Sequence, residues 1–154
     1  MRVEFHKPSE KRRLCAWEAY RGNRTIVPGS TMGVGESIPH DLAQYVIEAA
    51  TGYQHGFWGL VALGATFKST GRKRTKPGRA VIAEHRAELI ESEALAGEHL
   101  TSWAKGESTP VTDALTTAFE QWRELELGDR LVFEWPSPTG VIRRAEGVSS
   151  CSRR

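Results

Sequence analysis

Five polar residues that can take part in acid–base or metal chemistry stand within sixteen positions, in the segment SIPHDLAQYVIEAATGYQHGFWG. They are His40, Asp41, Gln44, Glu48 and His55. A neutral imidazole beside a carboxylate can act as a general acid–base pair. Two side chains placed four positions apart on a helix can hold one metal ion. The segment therefore predicts either a small chemical site or the polar edge of a packed core.

A helix over about Pro39 to Thr51 would bring most of these polar groups to one side. Proline suits the first turn of a helix, and Gly52 suits its C-terminal cap. With about 100° of rotation per residue, the side that faces the core would carry Leu42, Tyr45, Val46, Ala49 and Tyr53. The other side would carry His40, Gln44, Glu48 and Thr51, with Asp41 at its flank. The predicted helix thus has an apolar stripe and a converged polar face.

The predicted catalytic residues are His40, Asp41 and Glu48. His40 would be a metal ligand or a base, Asp41 would orient it, and Glu48 would be a ligand or an acid–base group. The predicted binding residues around them are Gln44, Thr51 and His55. The cofactor is unknown, with a divalent metal as the hypothesis. The amide of Gln44, four positions after His40, is a poor ligand for a transition metal, so no set of metal ligands is assigned.

A structural interpretation of the same residues is favoured over catalysis. A histidine and an aspartate at the start of a helix can cap its first turn. Ile47 lies on the same side as His40 and Gln44, which indicates that another element covers part of this face. The best prediction is a non-enzymatic domain that binds an unknown protein partner or small ligand through the His40–Glu48 face. The alternative is a metal-assisted, hydrolase-like enzyme that uses the predicted catalytic residues with His55.

The residues IPHDLAQYVIE, followed by GFWGLVALGA, resemble a motif of small uncharacterised bacterial proteins, chiefly of actinobacterial type. That family has a PHDLxHxVVE helix followed by GFxGxVAxG. The likeness also covers the N-terminal RVEFHKP strand with its hairpin and the C-terminal LVFEW strand, which is most of the chain. His40, Asp41 and Glu48 match the motif, whereas Gln44 stands where the family has a histidine. The family carries no established activity. The resemblance therefore implies where a site lies, and if the family's two histidines bind a metal, this chain lacks one ligand.

The elements that would position this segment indicate an α+β fold in one domain over residues 1–145. The predicted strands are Val3–Phe5, a hairpin with arms Leu14–Tyr20 and Arg24–Val27, Leu131–Trp135, and the short GVIRR. The further predicted helices are about His55–Phe67, Ala80–Lys105 and Pro110–Leu125. We expect an antiparallel sheet that joins the N-terminal strands to the C-terminal strand. About four helices would cover one face of it.

The second predicted helix is apolar nearly all round, which predicts burial. Gly56, Gly59 and Ala62 stand three positions apart in it. A glycine in a helix costs roughly 0.8–1 kcal/mol relative to alanine. We expect a close packing contact at these small residues to offset that cost.

The balance of charge argues against a dedicated nucleic-acid binder, because 21 basic residues stand against 19 acidic ones and the net charge is +2. Segment 68–79, which we expect to be a mobile loop, holds Lys68, Arg72, Lys73, Arg74, Lys76 and Arg79. These side chains could contact phosphate without sequence specificity. No aromatic residue stands among them, which disfavours stacking on single strands. A solvated loop is the favoured interpretation.

The longest apolar segment, Phe57 to Phe67, is about half of the roughly 20 residues that a membrane-spanning helix needs. The N-terminal residues also lack the apolar run of a signal peptide. We therefore expect a soluble, cytoplasmic protein with no membrane partner. Cys15 and Cys151 predict neither a disulfide framework nor a zinc finger. The last segment, 146–154, has no core residues and is expected to be disordered.

Overall fold

The computed structural model describes residues 1–8, 16–22, 24–29, 32, 37–70 and 73–145. The strands in these ranges are β1 (Arg2–His6), β2 (Ala16–Tyr20), β3 (Ile26–Pro28), β4 (Arg130–Glu134) and β5 (Val141–Arg143). The helices are α1 (His40–Thr51), α2 (Phe57–Leu63), α3 (Lys76–Glu84), α4 (Arg86–Ala104) and α5 (Pro110–Glu124). The predicted α+β class is confirmed, with five helices among the described residues where about four were expected.

The strands form one antiparallel sheet in the order β3-β2-β1-β4-β5, with β1 at its centre. Phe5 on β1 pairs with Trp17 on β2 and with Leu131 on β4. Because side chains alternate between the two faces of a strand, Val3 and Phe5 lie on the same face, and both are fully buried. The prediction that the N-terminal strands and the C-terminal strand share one sheet is confirmed.

Helix α1 packs its apolar stripe against this sheet. Pro39 precedes the helix with φ −59° and ψ 137°, and Gly52 ends it in the left-handed conformation, with φ 69°. The centroid of the Tyr45 ring lies 4.7 Å from the centroid of the Phe133 ring on β4. The Tyr45 hydroxyl donates to the carbonyl of Ser137 at 3.2 Å. The sheet therefore covers the Tyr45 side of α1, as predicted, whereas Tyr53, which the sequence assigns to the same side, follows the helix and places its hydroxyl against α4.

The opposite side of α1 is buried as well, because it contacts α4 and α5. Ile47 is fully buried, and the exposed fractions of Gln44 and Glu48 are 4% and 1%. The covering element that Ile47 indicates is therefore confirmed. Gln44 and Glu48 lie beneath other helices, whereas His40 at the start of α1 is exposed.

The predicted single helix over about Ala80 to Lys105 is two helices in the structure. Helices α3 and α4 meet at His85, whose φ of −106° and ψ of 22° depart from helical values. Helix α3 also begins earlier than predicted, because the Thr75 hydroxyl accepts a hydrogen bond from the Gly78 amide at 3.1 Å. The segment predicted to be a loop, 68–79, is therefore helical from Lys76 onward.

Helix α2 is shorter than the predicted His55–Phe67 because Gly64 ends it, with a φ of 103° that favours glycine. The close packing predicted at its glycines is confirmed at two positions. A Cβ on Gly59 would lie 1.8 Å from the carbonyl oxygen of Gln54, and a Cβ on Gly56 would lie 2.4 Å from the Glu48 carboxyl group. The N-terminal half of α2 thus rests on the preceding turn and on α1.

Some predictions fall on residues outside the described ranges. These residues are both cysteines, Arg72 of the basic segment, and the predicted disordered tail 146–154. None of the helices in the described part of the chain combines the length and the apolar character that a membrane crossing requires.

Candidate functional site

The carboxylate of Glu48 is buried and ties α1 to the start of α2. Its Oε1 accepts a hydrogen bond from the Phe57 amide at 2.8 Å, and its Oε2 accepts one from the Trp58 amide at 2.9 Å. The Nε2 of Gln44 donates to Oε1 at 3.1 Å. The first amides of a helix have no partner within the helix, and Gly56 at the cap of α2 has no side chain to offer. Glu48 therefore caps α2 from the neighbouring helix.

Burial raises the pKa of Glu48 from its ordinary value of 4.5 to about 7, against the hydrogen bonds from Trp58, Gln44 and Phe57, which lower it. The folded protein therefore holds this proton more tightly than the unfolded chain does. The stabilisation from the bound proton is complete below pH 4.5 and is lost as the pH rises to about 7. A carboxyl group with this pKa can exchange a proton near neutral pH, but its oxygens are occupied by α2.

We expect the free energy of unfolding to fall by about 1.4 kcal/mol per pH unit within this window because of Glu48. Glu48→Gln keeps an acceptor oxygen and removes the titration, so this variant should lack that slope. Urea unfolding of both proteins between pH 4 and pH 8 measures the difference. A constant difference between the two proteins over this range would contradict the assignment.

Asp41 is held at the edge of the aromatic core by two indole rings. Its Oδ2 accepts a hydrogen bond from Trp17 Nε1 at 2.8 Å, and its backbone carbonyl accepts one from Trp58 Nε1 at 3.2 Å. His40 Nδ1 lies 3.5 Å from Asp41 Oδ1. The hydrogen bond with Asp41 raises the pKa of His40, and the charge of Glu93 adds to this effect, while partial burial opposes it. The local field therefore favours positive charge.

A cavity of about 320 Å³ opens beside these residues. It is lined by Trp17, His40, Asp41, Gln44, Phe57, Phe67, Ser69, Leu89 and Glu93. No lysine or arginine is among the described residues that line it. The Gln44 amide donates towards Glu93 at 3.4 Å and so connects α1 to the α4 side of the cavity. The lining of this cavity is thus partly aromatic and includes two carboxyl groups, those of Asp41 and Glu93.

The structure divides the predicted site residues among three places. His40, Asp41 and Gln44 meet at the cavity, and Glu48 lies behind it under α2. The Thr51 hydroxyl donates to the carbonyl of Ile47 at 2.7 Å, within the last turn of α1. His55 belongs to a separate cluster with His85 and Glu88. Neither of the two groups of three or more potential metal ligands found among the described residues includes His40, Asp41 or Glu48.

Sequence reasoning missed the residues that complete the cavity from other elements. The sequence did indicate that Phe57 and Phe67 are core residues, because the apolar character of their segment predicts packing next to α1. Their rings lie 4.6 Å apart. For Trp17 the sequence offered no indication beyond its being a tryptophan. Glu93 is one of several acidic residues along α4, and nothing in the sequence distinguishes it from the others. The meeting of Trp17 and Glu93 with Asp41 depends on contacts between distant parts of the chain.

Two arginines of the basic segment line a different cavity, of about 370 Å³. Arg74 and Arg79 line it together with Arg86, Ile82 and Ile90. Asp41 and Glu93 therefore line one cavity, whereas Arg74, Arg79 and Arg86 line another.

Comparison with known protein families, with curated proteins and with solved structures finds no match to this chain. The likeness of the His40 segment to a bacterial motif stays a prediction.

Proposed function

We propose that this protein is a non-enzymatic binding domain whose cavity beside His40, Asp41 and Gln44 takes a small organic cation. The observation that carries the proposal is the pairing of aromatic rings with carboxyl groups around one cavity. Its volume of about 320 Å³ falls in the usual range for small-molecule sites. A ligand in this cavity would contact the His40–Glu48 face, which the sequence predicts as the binding surface, at the exposed N-terminal end of α1.

The aromatic rings favour a ligand with a positively charged, weakly hydrated group. The lining includes the rings of Trp17, Phe57 and Phe67. A cation over an aromatic face gains about 0.5–1 kcal/mol at exposed sites and about 2 kcal/mol or more when desolvated. Trp17 is 1% exposed and its indole is fixed by Asp41, so this ring is already in place before a ligand arrives.

The carboxyl groups favour the same class of ligand. Asp41 and Glu93 both line the cavity, and an opposite charge within about 4–6 Å stabilises a cation. His40 is the residue that can oppose this attraction, because its protonated form adds positive charge beside Asp41. We therefore expect a cationic ligand to bind more weakly as the pH falls and His40 becomes protonated.

Isothermal titration calorimetry with three small aromatic compounds, one cationic, one neutral and one anionic, tests the proposal. We expect benzyltrimethylammonium to bind about tenfold more tightly than benzyl alcohol or benzoate, which corresponds to about 1.4 kcal/mol. Glu93→Gln and Asp41→Asn should each weaken the binding of the cation, because each removes one negative charge from the cavity.

Glu98→Gln is the matched control, since it makes the same change on α4 at an exposed residue outside the lining. Equal binding of benzoate and the cation would contradict the proposal. So would an equal loss of affinity in Glu93→Gln and Glu98→Gln.

The alternative function, a metal-assisted hydrolase-like enzyme, would need Glu48 to reach a metal or a substrate. The buried carboxylate holds the amides of Phe57 and Trp58, which supports the binding function over this alternative. Hydrolysis of an ester or amide that is lost in both His40→Ala and Glu48→Gln, with both variants folded, would favour the enzyme instead.

A further inference from the structure

Two histidines and a glutamate from separated segments converge on the side of α4 near its start. His55 lies between α1 and α2, His85 joins α3 to α4, and Glu88 stands in the first turn of α4. His85 Nδ1 lies 2.9 Å from Glu88 Oε1, and His55 Nδ1 contacts Glu88 Oε2. One nitrogen or oxygen atom from each residue lies within 4.8 Å of the others. Each imidazole therefore directs a ring nitrogen to the same carboxylate.

The segments that carry these residues are fixed to each other. The Tyr53 hydroxyl lies 2.9 Å from the carbonyl oxygen of Glu88 and 2.8 Å from Oε2 of Glu91. The Tyr53 amide donates to the carbonyl of Glu48 at 2.9 Å, which holds the connection onto the end of α1. His55 is two positions after Tyr53, so this clamp keeps it opposite the first turn of α4.

The distances and exposures suit an ion that arrives from solvent. Zinc binds histidine nitrogen at about 2.0–2.1 Å and carboxylate oxygen at about 2.0–2.2 Å, which places neighbouring ligand atoms roughly 3 Å apart. The separation of 2.9 Å between His85 and Glu88 already has this value. The side chains of His55, His85 and Glu88 are 35%, 19% and 44% exposed, so water can reach the cluster and complete a coordination shell.

The two imidazole rings lie face to face in this arrangement. They stack with centroids 4.0 Å apart and planes 26° apart. Both imidazoles contact the Glu88 carboxylate, which supplies an oxygen ligand between them.

A second cluster, Glu4, His6 and Glu18, is a weaker candidate. The carboxylate of Glu4 lies 3.1 Å from Arg2 and 3.6 Å from Arg130. These guanidinium groups already neutralise it and would repel a metal cation.

We propose that His55, His85 and Glu88 form a binding site for a divalent transition metal ion of the zinc class. Two imidazoles and one carboxylate form a common three-residue ligand set that leaves a coordination position open to water or another ligand. This site is independent of the organic-cation cavity, because it uses none of the residues that line that cavity.

Calorimetric titration of zinc chloride into chelator-treated protein without a histidine tag tests the site. We expect one zinc ion per chain. His55→Ala, His85→Ala and Glu88→Gln each remove a ligand, so each should weaken zinc binding by at least the roughly 10–100-fold that the loss of an outer-shell partner costs. His99→Ala, on the same helix, should bind zinc like the wild type. Thermal unfolding of each metal-free variant checks that it is folded.

Binding of cobalt(II) provides a second measurement. If the three residues only stabilised the fold, their substitution would not change the spectrum of bound cobalt. Its visible absorption spectrum in the wild type should report nitrogen and oxygen ligands, and His85→Ala should lose this spectrum. The proposal is overturned if folded wild-type protein takes up no zinc. It is also overturned if His55→Ala and His85→Ala both bind zinc with the affinity of the wild type.

Discussion

Gly59→Ala is expected to lower the free energy of unfolding by about 4 kcal/mol or more, and to leave the protein largely unfolded if its stability is ordinary. The added Cβ would lie 1.8 Å from the backbone oxygen of Gln54, whereas real contacts of this kind stay beyond 3.0 Å. A backbone atom in a tight turn cannot rotate away as a side chain can. Helix α2 would have to move, and Trp58, which is fully buried against Phe5 and Trp17, would lose its packing.

Gly97→Ala is the matched control for this substitution. Gly97 lies inside α4, and beyond its chain neighbours and the backbone of its own helix an added Cβ there would meet no described atom within 4 Å. Alanine is a better helix former than glycine by about 0.8–1 kcal/mol, so this variant should be as stable as the wild type or more stable. Urea unfolding monitored by circular dichroism measures both effects. A loss of stability in Gly59→Ala no greater than about 1 kcal/mol would contradict the predicted contact.

Glu48→Ala is the second substitution with a large expected effect, a loss of about 2–5 kcal/mol of stability. The change leaves the amides of Phe57 and Trp58 without their acceptor at the buried start of α2. It also leaves a space where the carboxyl group stood. Unsatisfied buried amides and an unfilled cavity both destabilise a fold.

Two further variants separate the cap from the charge. Glu48→Gln keeps an acceptor oxygen for one of the two amides and fills the same space, so it should destabilise the protein less than Glu48→Ala does. Glu98→Ala removes an exposed carboxylate from α4 and should change the stability by less than about 0.5 kcal/mol. If Glu48→Ala were no more harmful than Glu98→Ala, the capping role of Glu48 would be refuted.

The structure assigns different roles to the polar residues that the sequence groups together on α1. His40 and Asp41 lie at a cavity, where they can meet a ligand. Glu48, one of the predicted catalytic residues, instead caps the start of α2 with its buried carboxylate. The residues best placed to bind a metal are His55, His85 and Glu88, and only His55 stands within the original segment.

The local pattern of residues was sufficient to predict the main elements of the fold. The apolar stripe of α1, its Pro39 start and its Gly52 end are properties of neighbouring residues, and α1 forms where they indicate. The glycines of α2 likewise indicate close contacts. The break at His85 was not predictable in this way, because the residues on either side of it are compatible with one continuous helix.

The sites depend on contacts that a local pattern does not contain. A helical wheel shows that Gln44 and Glu48 share a side of α1, but it does not show that α2 and α4 cover that side. Asp41 meets Trp17 across 24 positions of the chain, and His55 meets Glu88 across 33. Side-chain periodicity reflects hydrogen bonding within one helix or strand, so the sequence predicts which residues share a face. The group that lies opposite that face is set by how distant elements pack together.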